Sequence, residues 1–516
     1  MRKQTKLVAV LSAAALLALG ASMTSFAAGW EKDDAGVWHY YDEDDELVTG
    51  EWKKDGGKWF YLDDDGDMLT SDWVDDEYYV GEDGAMLVNS WVKTYPDEDI
   101  DDPEDDGEKW FYFGSKGKKT TSEMKKINGK HYFFDEDGEM QDGWYDTGDG
   151  DVYYLGEEDD GARTSGWLWL ERPEAEDNLT TDCDEDCDIC DEEGWYYFGS
   201  NGKMYKDEAK KKVNGKYYYF NEDGQMLYEW INGAKISAGS NAQLDGNLAE
   251  GESATIGEMI YTNVVEEGWR ADGWYEIDGS EDVGTENDTD WYYFKKGEAK
   301  KATFADDCDG RLTDDNDPVA VARIKIDGKY FAFNEKGQMQ TGLQYIYAQK
   351  KFYYFDDNGY QKTGKVASVE CEDDDYTFYF QTKNGGNGQG VTGEKSGYLY
   401  WNGIRLEADD DYRIYKVDGA YYLVNNKGKL QKSMTKEYDV EGLGEDLKFA
   451  INKNSYKMVV TDAVAQAATL PKIELFDNVI FEDVDGKMAI ANMDKYDAAQ
   501  AKQAKIEITV ADEDDK

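Results

Sequence analysis

Residues 193–204 read Glu-Gly-Trp-Tyr-Tyr-Phe-Gly-Ser-Asn-Gly-Lys-Met, a short aromatic run followed by a glycine turn and a methionine. Aromatic side chains favour β-strands, and glycine beside Asp or Asn favours tight hairpin turns that need positive φ. The stretch therefore predicts a strand and a turn. Variants of it, with turns such as Asp65-Gly66 and Asp137-Gly138, occur on both sides along the chain.

The aromatic run recurs at a nearly constant spacing. Residues 38–41 (WHYY) return 21 positions later as 59–62 (WFYL), and residues 110–113 (WFYF) return 21 positions later as 131–134 (HYFF). We expect each run to be followed by such a turn and then by a second short strand, often led by Trp. One unit is then a hairpin of about twenty residues, which cannot bury its aromatic face alone. We therefore expect an all-β chain, an elongated solenoid of stacked β-hairpin repeats.

The order Gly-Trp, then Trp-Tyr-Tyr-Phe, then Asp-Gly-x-Met resembles the choline-binding, or cell-wall-binding, repeat family. That family is related to streptococcal glucan-binding repeats and to clostridial toxin repeats. The resemblance covers roughly residues 29–434. It implies that the hairpins bind cell-wall polymer and hold choline between consecutive units in cages of aromatic rings.

The resemblance also implies which rings form the cages, namely the Trp after Gly and the first ring of the following aromatic run. The implied ligand-binding residues are Trp30, Trp38, Trp52, Trp59, Trp73, Tyr79, Trp144, Tyr153, Trp167, Trp195, Trp274 and Trp291. The pairs Trp30/Trp38 and Trp52/Trp59 fit best. Three pairs keep both rings only across inserted loops: Trp91/Trp110, Trp167/Trp195 and Trp274/Trp291. Packing in the core is the competing role for every ring.

Changes in composition and period predict the domain organisation. Basic residues, an apolar run and small residues make residues 1–28 a predicted secretion signal. The further expected segments are hairpin repeats over 29–233, an irregular insertion or linker over 234–290, further repeats over 291–434, and a small β-rich domain of unknown role over 435–516.

The charge of the chain restricts its partners. There are 56 Lys and Arg against 113 Asp and Glu, a net charge of −57 at pH 7. Such a chain is not suited to bind nucleic acid or anionic lipid, both of which need a basic surface. The expected partners are cell-wall teichoic acid or polysaccharide, and a host or surface protein could bind residues 435–516.

Cysteines and acidic turns are the other candidate special sites. Cys183, Cys187 and Cys190 are candidates for a local disulfide in an acidic loop. The Asp-Gly turns do not fit an EF-hand, because its first ligand position would fall on strand aromatics such as Tyr61 and Phe133. No cofactor or metal is expected, although calcium binding by the acidic stretches 97–106 and 182–193 is an open alternative.

These observations predict a secreted, non-catalytic protein of the cell wall or cell surface. The two histidines, His39 and His131, leave little material for His-based catalysis. In the final part, Glu474, Glu482 and Asp483 are the residues that could supply a carboxylate pair. Two alternatives stay open: a carbohydrate- or glucan-binding adhesin that uses the same repeats, and an accessory protein of a wall hydrolase.

Overall fold

The computed structural model describes residues 29–96, 107–173, 193–206, 208–221, 223–232, 259–278, 289–302, 321–334, 337–371, 374–382, 388–476 and 478–495. The predicted signal over 1–28 and the three candidate disulfide cysteines lie outside these residues. The chain divides into two units. The N-terminal unit comprises residues 1–206 and 222–226, and the C-terminal unit comprises residues 207–221 and 227–516.

In the N-terminal unit, the described residues form seven two-stranded antiparallel sheets, each of which is one hairpin. The strands are β1 (Gly29–Lys32), β2 (Trp38–Tyr41), β3 (Glu51–Asp55), β4 (Lys58–Leu62), β5 (Asp72–Val74), β6 (Tyr78–Val80), β7 (Ser90–Thr94), β8 (Lys109–Phe113), β9 (Glu123–Ile127), β10 (Lys130–Phe134), β11 (Trp144–Asp146), β12 (Val152–Tyr154), β13 (Gly166–Glu171) and β14 (Glu193–Phe198). Each Trp-led strand pairs with the aromatic strand that follows it.

The C-terminal unit begins with similar hairpins and ends with larger sheets. Its strands are β15 (Glu208–Val213), β16 (Lys216–Phe220), β17 (Trp230–Asn232), β18 (Met259–Tyr261), β19 (Gly273–Ile277), β20 (Asp290–Lys295), β21 (Glu298–Ala299), β22 (Ala322–Ile326), β23 (Lys329–Phe333), β24 (Met339–Gln340), β25 (Gly342–Ile346), β26 (Lys351–Phe355), β27 (Gly364–Cys371), β28 (Asp374–Phe380), β29 (Gly393–Lys395), β30 (Tyr398–Trp401), β31 (Ile404–Arg405), β32 (Tyr412–Val417), β33 (Ala420–Asn425), β34 (Tyr438–Val440), β35 (Gly444–Leu447), β36 (Lys472–Leu475), β37 (Val479–Val484) and β38 (Lys487–Ile490). A 3-10 turn (Tyr347–Gln349) and one short helix, α1 (Asp462–Ala467), complete the described elements.

The sheets of the C-terminal unit have two to five strands. β15–β16, β17–β18 and β25–β26 are simple hairpins, whereas β19-β20-β21, β22-β23-β24 and β36-β37-β38 are three-stranded. The larger sheets have the orders β27-β28-β31-β30-β29 and β33-β32-β34-β35. The predicted all-β fold of stacked hairpins is thus confirmed.

The hairpins are closed by turns other than the predicted Asp-Gly pairs. Asn128 and Gly129 join β9 to β10 with φ values of 48° and 91°, as the two central positions of a type I′ turn require. The Asp65-Gly66 turn instead follows the second strand of its hairpin. It returns the chain so that Met68 bridges to Leu62, the last residue of β4. We call the residue at the position of Met68 the post-turn residue.

Post-turn residues tie consecutive hairpins together. The backbone N–H of Met68 donates to the carbonyl oxygen of Trp38 in the preceding hairpin at 2.8 Å. In the N-terminal unit the same bond joins Met86 to Trp59, Lys119 to Glu77, Met140 to Trp110, Arg163 to His131, Met204 to Val152 and Met226 to Trp195. In the C-terminal unit it joins Arg270 to Tyr217, Gln361 to Tyr330 and Gly390 to Phe352.

In many hairpins a Trp leads the first strand. This residue, here called the leading Trp, packs between neighbours. Trp30 contacts Tyr40 of its own hairpin and Phe60 of the next, with both ring centroids at 5.3 Å. Trp230 in the C-terminal unit contacts Tyr261 and Tyr292 in the same way. Stacking therefore buries rings that a single hairpin would leave in water.

Two stretches differ from the expectation drawn from composition. β18 and the strand β19 lie inside residues 234–290, so the described part of that stretch belongs to hairpins rather than to an irregular linker. Within residues 435–516, Phe481 of β37 packs against Tyr345 and Phe352 of the hairpin β25–β26. The domain boundaries themselves stay a prediction.

Candidate ring sites between hairpins

In the hairpins that have a leading Trp, one face carries this Trp and the first ring of the aromatic strand. In the first hairpin Trp30 lies opposite Tyr40, and Lys32 lies opposite Trp38. Because alternate residues of a strand share a face, all four side chains are on the same side. Trp30 and Trp38 are therefore diagonal neighbours, and the residue directly across from Trp38 is a lysine.

The second hairpin repeats this arrangement. Trp52 lies opposite Tyr61, and Lys54 lies opposite Trp59. The Nζ atom of Lys54 is 5.5 Å from the ring centroid of Trp59, and the Trp59 side chain keeps 39% of its surface exposed. In the hairpin β19–β20, Trp291 is 41% exposed and lies diagonal to Trp274. Trp59 and Trp291 thus offer ring surface to solvent.

The hairpin β13–β14 brings the predicted pair Trp167 and Trp195 together. Their ring centroids are 6.4 Å apart and the planes are inclined by 88°, so the rings form two walls of a corner. Trp169 adds a third ring, 5.5 Å from Trp195 and inclined by 74°. The Nε1–H of Trp169 donates to a carboxylate oxygen of Glu193 at 2.5 Å. Three indoles and a negative charge therefore share one face.

Trp169 was absent from the residues implied by sequence. Its register position distinguishes it: Trp169 lies opposite Trp195, whereas three other hairpins place a lysine opposite the first ring, namely Lys32, Lys54 and Lys93. Trp169 is 44% exposed. This hairpin has a ring where those three have an ammonium group.

The hairpin β7–β8 forms a similar corner. Trp91 and Trp110 are 6.3 Å apart with planes inclined by 86°. Asp159 accepts hydrogen bonds at 2.7 Å from both Trp110 Nε1 and Lys93 Nζ. The bond from Lys93 is the main cause that lowers the pKa of Asp159, so this carboxylate is ionised over a wide range of pH. Trp91 and Trp110 thus meet in a corner although residues 95–108 separate β7 from β8.

Other predicted rings lie in the core. Trp73 and Tyr79 are 4% and 6% exposed and contact each other at 5.4 Å, so the structure brings them together as packing partners. Trp144 lies opposite Tyr154 rather than Tyr153. Tyr153 points to the other face of the strand, where its ring packs against Phe133 at 5.0 Å. Adjacent residues of a strand point to opposite faces, so Tyr153 and Tyr154 lie on different sides of the hairpin.

The acidic turns use their carboxylates on the backbone. Oδ1 of Asp63 accepts the N–H groups of Asp65 and Asp67 at 3.0 and 2.8 Å, as expected for turn residues. Within the described ranges, no group of three or more His, Cys, Asp or Glu side chains could hold a metal ion. Residues 97–106 and most of the stretch 182–193, the calcium alternatives, lie outside the described part.

Asp483, one of the three carboxylates considered for chemistry, is engaged in the core. It is 7% exposed and accepts hydrogen bonds from Trp401 Nε1 at 3.2 Å and from the N–H of Gly486 at 2.9 Å. Its oxygens thus hold β37 against β30. No helix in the described part of the chain has the length and apolar character needed to cross a membrane.

Comparison with known proteins finds repeat families that match parts of this chain. One family model described as a choline-binding repeat matches residues 120–167 and 191–233, and a second model of the same description matches residues 46–85 and 71–96. Glucosyltransferase-S of Streptococcus mutans is 28% identical over 292 residues, which cover 55% of this chain and 17% of that protein. This chain thus matches less than a fifth of the length of that relative.

Solved structures of Streptococcus pneumoniae proteins are also similar. The choline-binding domain of CbpL is 26% identical, with 39% of this chain and 98% of that chain covered and a TM-score of 0.25. The modular autolysin LytC is 20% identical, with 65% and 52% covered and a TM-score of 0.31. The family models confirm, over residues 46–96, 120–167 and 191–233, the resemblance to choline-binding repeats that was drawn from the aromatic pattern.

Proposed function

We propose that this chain is a secreted, non-catalytic cell-surface protein that attaches to choline-decorated cell-wall polymer, such as teichoic acid. The observation that carries the proposal is the corner of Trp167 and Trp195, extended by Trp169 and flanked by the Glu193 carboxylate. The matches to choline-binding repeat models support the same ligand.

The chemistry of choline explains the choice of ligand. A quaternary ammonium has no N–H to donate, so polar groups bind it poorly, whereas the negative faces of aromatic rings attract it. Two perpendicular rings can contact two sides of such a cation. A nearby carboxylate adds attraction, and the net charge of −57 acts in the same direction.

Exposure ranks the proposed sites. Trp59, Trp291 and Trp169 present the most accessible rings among those discussed. We therefore place ligands at the corners built around Trp167/Trp195 and Trp91/Trp110, and at the diagonal pairs Trp30/Trp38, Trp52/Trp59 and Trp274/Trp291. The buried rings Trp73, Tyr79 and Tyr153 have a packing role, and so does Trp144, whose ring packs on Tyr154 and Tyr196.

The absence of catalysis is likewise part of the proposal. Asp483 is occupied by the Trp401 and Gly486 N–H groups. On neighbouring strands, Glu482 lies opposite Lys472 and Glu474 lies opposite Ile480. Since Asp483 is buried and bonded, it is a poor candidate for the acid or base of a hydrolase.

The test is retention on isolated cell walls. Walls that carry choline should retain the full chain, and choline should elute it while glucose and dextran should not. Trp195→Ala should weaken retention, whereas Tyr360→Ala, which removes another exposed ring, should not. Elution by sugars alone, or equal retention of the two variants, would contradict the proposal.

Carbohydrate is the second candidate ligand, and Trp169 is the observation that favours it. Its exposed indole replaces the lysine found in other hairpins, and a flat indole beside a carboxylate can stack on a sugar ring while the carboxylate binds a hydroxyl. Trp169→Ala separates the two functions, because it should reduce binding to glucan more than binding to choline.

A further inference from the structure

The interface between the hairpins β5–β6 and β7–β8 contains a cage that is already filled. Trp73 of β5 and Phe111 of β8 meet at 4.9 Å with planes inclined by 86°. This is nearly the same perpendicular geometry as the corner of Trp167 and Trp195. A cation of the chain itself lies against this pair of rings.

That cation is the ammonium group of Lys119, the post-turn residue of the hairpin β7–β8. Its Nζ atom is 5.2 Å from the ring centroid of Trp73 and 5.9 Å from that of Phe111. The side chain is only 8% exposed, and Nζ forms an ion pair with the Asp76 carboxylate. Two perpendicular rings and one carboxylate therefore surround a cation, as in the site proposed for choline.

The backbone and the next hairpin keep Lys119 in this position. Its N–H donates to the carbonyl oxygen of Glu77 at 2.8 Å. Its aliphatic stem lies under the next turn, where a Cβ on Gly138 would stand 2.7 Å from Lys119 Cγ. The side chain has little freedom to leave the rings.

The same position holds methionine in the hairpins on either side. Met86 precedes Lys119 in the series of post-turn residues, and Met140 follows it. The thioether of methionine carries no charge, so Met86 and Met140 place no cation at their interfaces. Lysine at position 119 therefore replaces the methionine of the two adjacent hairpins, and arginine occupies the same position at Arg163 and Arg270.

A second resident cation occurs in the C-terminal unit. Arg323 lies opposite Ala332, the register position of a leading Trp. Its guanidinium carbon is 3.4 Å from the ring centroid of Tyr330 and 4.9 Å from that of Tyr353 in the next hairpin. Two interfaces thus place a basic side chain of this chain between rings of consecutive hairpins.

We propose that Lys119 is a built-in cation that fills the ring site between β5–β6 and β7–β8, so that this interface excludes external ligand and holds its hairpins together without one. The inference rests on the proposed function in one respect, namely that open ring sites take a quaternary ammonium. Under this proposal, some hairpin interfaces bind an external cation, whereas others hold a basic side chain of the protein itself.

The test counts binding sites on the full chain with choline chloride as the probe, by calorimetry or equilibrium dialysis. Lys119→Met restores the residue found in the neighbouring hairpins and should add one site to the number in the wild type. Lys130→Met is the matched control, because Lys130 is 61% exposed and pairs with Asp160. This control should leave the number of sites unchanged.

The outcomes separate the two proposals. An unchanged number of sites in a folded Lys119→Met chain would overturn the role of Lys119 and leave the proposed function intact. If the wild type bound no choline, the proposed function would fail. In that case a choline site that appeared only in Lys119→Met would still support the role of Lys119. If Lys119→Met bound no choline either, the role of Lys119 would be overturned. Circular dichroism checks folding, and Lys119→Ala replaces the variant if Met is not tolerated.

Discussion

The backbone of Gly428 packs so closely on Arg405 that a Cβ added to Gly428 would stand 2.6 Å from Arg405 Cγ. The carbonyl oxygen of Leu406 would be 2.8 Å away. Equivalent contacts recur along the array, for example between Gly84 and Met68. The turn glycine of one hairpin thus makes room for the post-turn residue before it.

Gly428→Ala should therefore destabilise the C-terminal unit more than a positive φ alone explains. Gly419→Ala is the matched control, because φ is 71° there and 67° at Gly428, while no atom lies within 4 Å of a Cβ at Gly419. We expect a loss of about 1 kcal/mol for the control and about 2–4 kcal/mol for Gly428→Ala. Urea unfolding measures both, and equal losses would show that the close approach is unimportant.

Substitution of Trp52 should lower stability, whereas substitution of Trp59 should lower ligand binding. Trp52 packs on Tyr61 and Tyr78 at 5.2 and 5.5 Å, so Trp52→Ala should cost about 2 kcal/mol and expose nearby amides to hydrogen exchange. Trp59 is exposed, so Trp59→Ala should keep stability but reduce retention on choline-bearing walls by about 2- to 10-fold. Loss of stability in Trp59→Ala would assign that ring to packing.

Phe481→Ala tests whether residues 435–516 fold independently. The Phe481 ring is fully buried and lies 4.8 Å from Tyr345 and 5.0 Å from Phe352. Its removal should cost about 3–5 kcal/mol and should weaken hydrogen-exchange protection in β25 and β26 as well as in β37. Val484→Ala, on the same strand but 47% exposed, is the control. Unchanged protection of β25 and β26 would indicate a separate domain.

The turn carboxylate of Asp135 should make stability depend on pH. Burial is the main cause that raises its pKa above the usual value, and the charge of Asp137 adds to it. A carboxyl whose pKa is higher in the folded than in the unfolded state loses stability as pH rises between the two values. Asp135→Asn should therefore be more stable than the wild type at pH 7.

The advantage of Asp135→Asn should vanish near pH 3, where the wild-type carboxyl is largely protonated in both states (about 3.9 is usual for Asp). Asparagine suits this turn, because Oδ1 of Asn334 accepts the N–H of Gln338 at 2.9 Å at the equivalent position. Denaturant unfolding at the two pH values provides the measurement. An advantage that did not change with pH would rule out a charge effect.

The sequence alone predicted an all-β chain of hairpins and its resemblance to choline-binding repeats. Ring-rich runs, their spacing and the glycine turns are local features, and each hairpin forms mainly from neighbours in the chain. For this reason the local pattern predicts the all-β array, whereas the pairing of each aromatic run with the Trp-led strand before it is seen only in the structure. The same local character explains why Tyr61 and Phe133 lie in strands, as the aromatic pattern predicts.

The tertiary structure decided what each ring and each cation does. Opposite faces of a strand differ by one residue, so only the register shows that Trp144 faces Tyr154 while Tyr153 packs on Phe133. Contacts between hairpins bring together residues that the repeat spacing in the sequence does not connect, such as Lys119 and Trp73. Whether an aromatic ring binds a ligand, packs on a neighbouring ring or contacts a lysine depends on how the next hairpin packs against it. The sequence of a single repeat does not determine that packing.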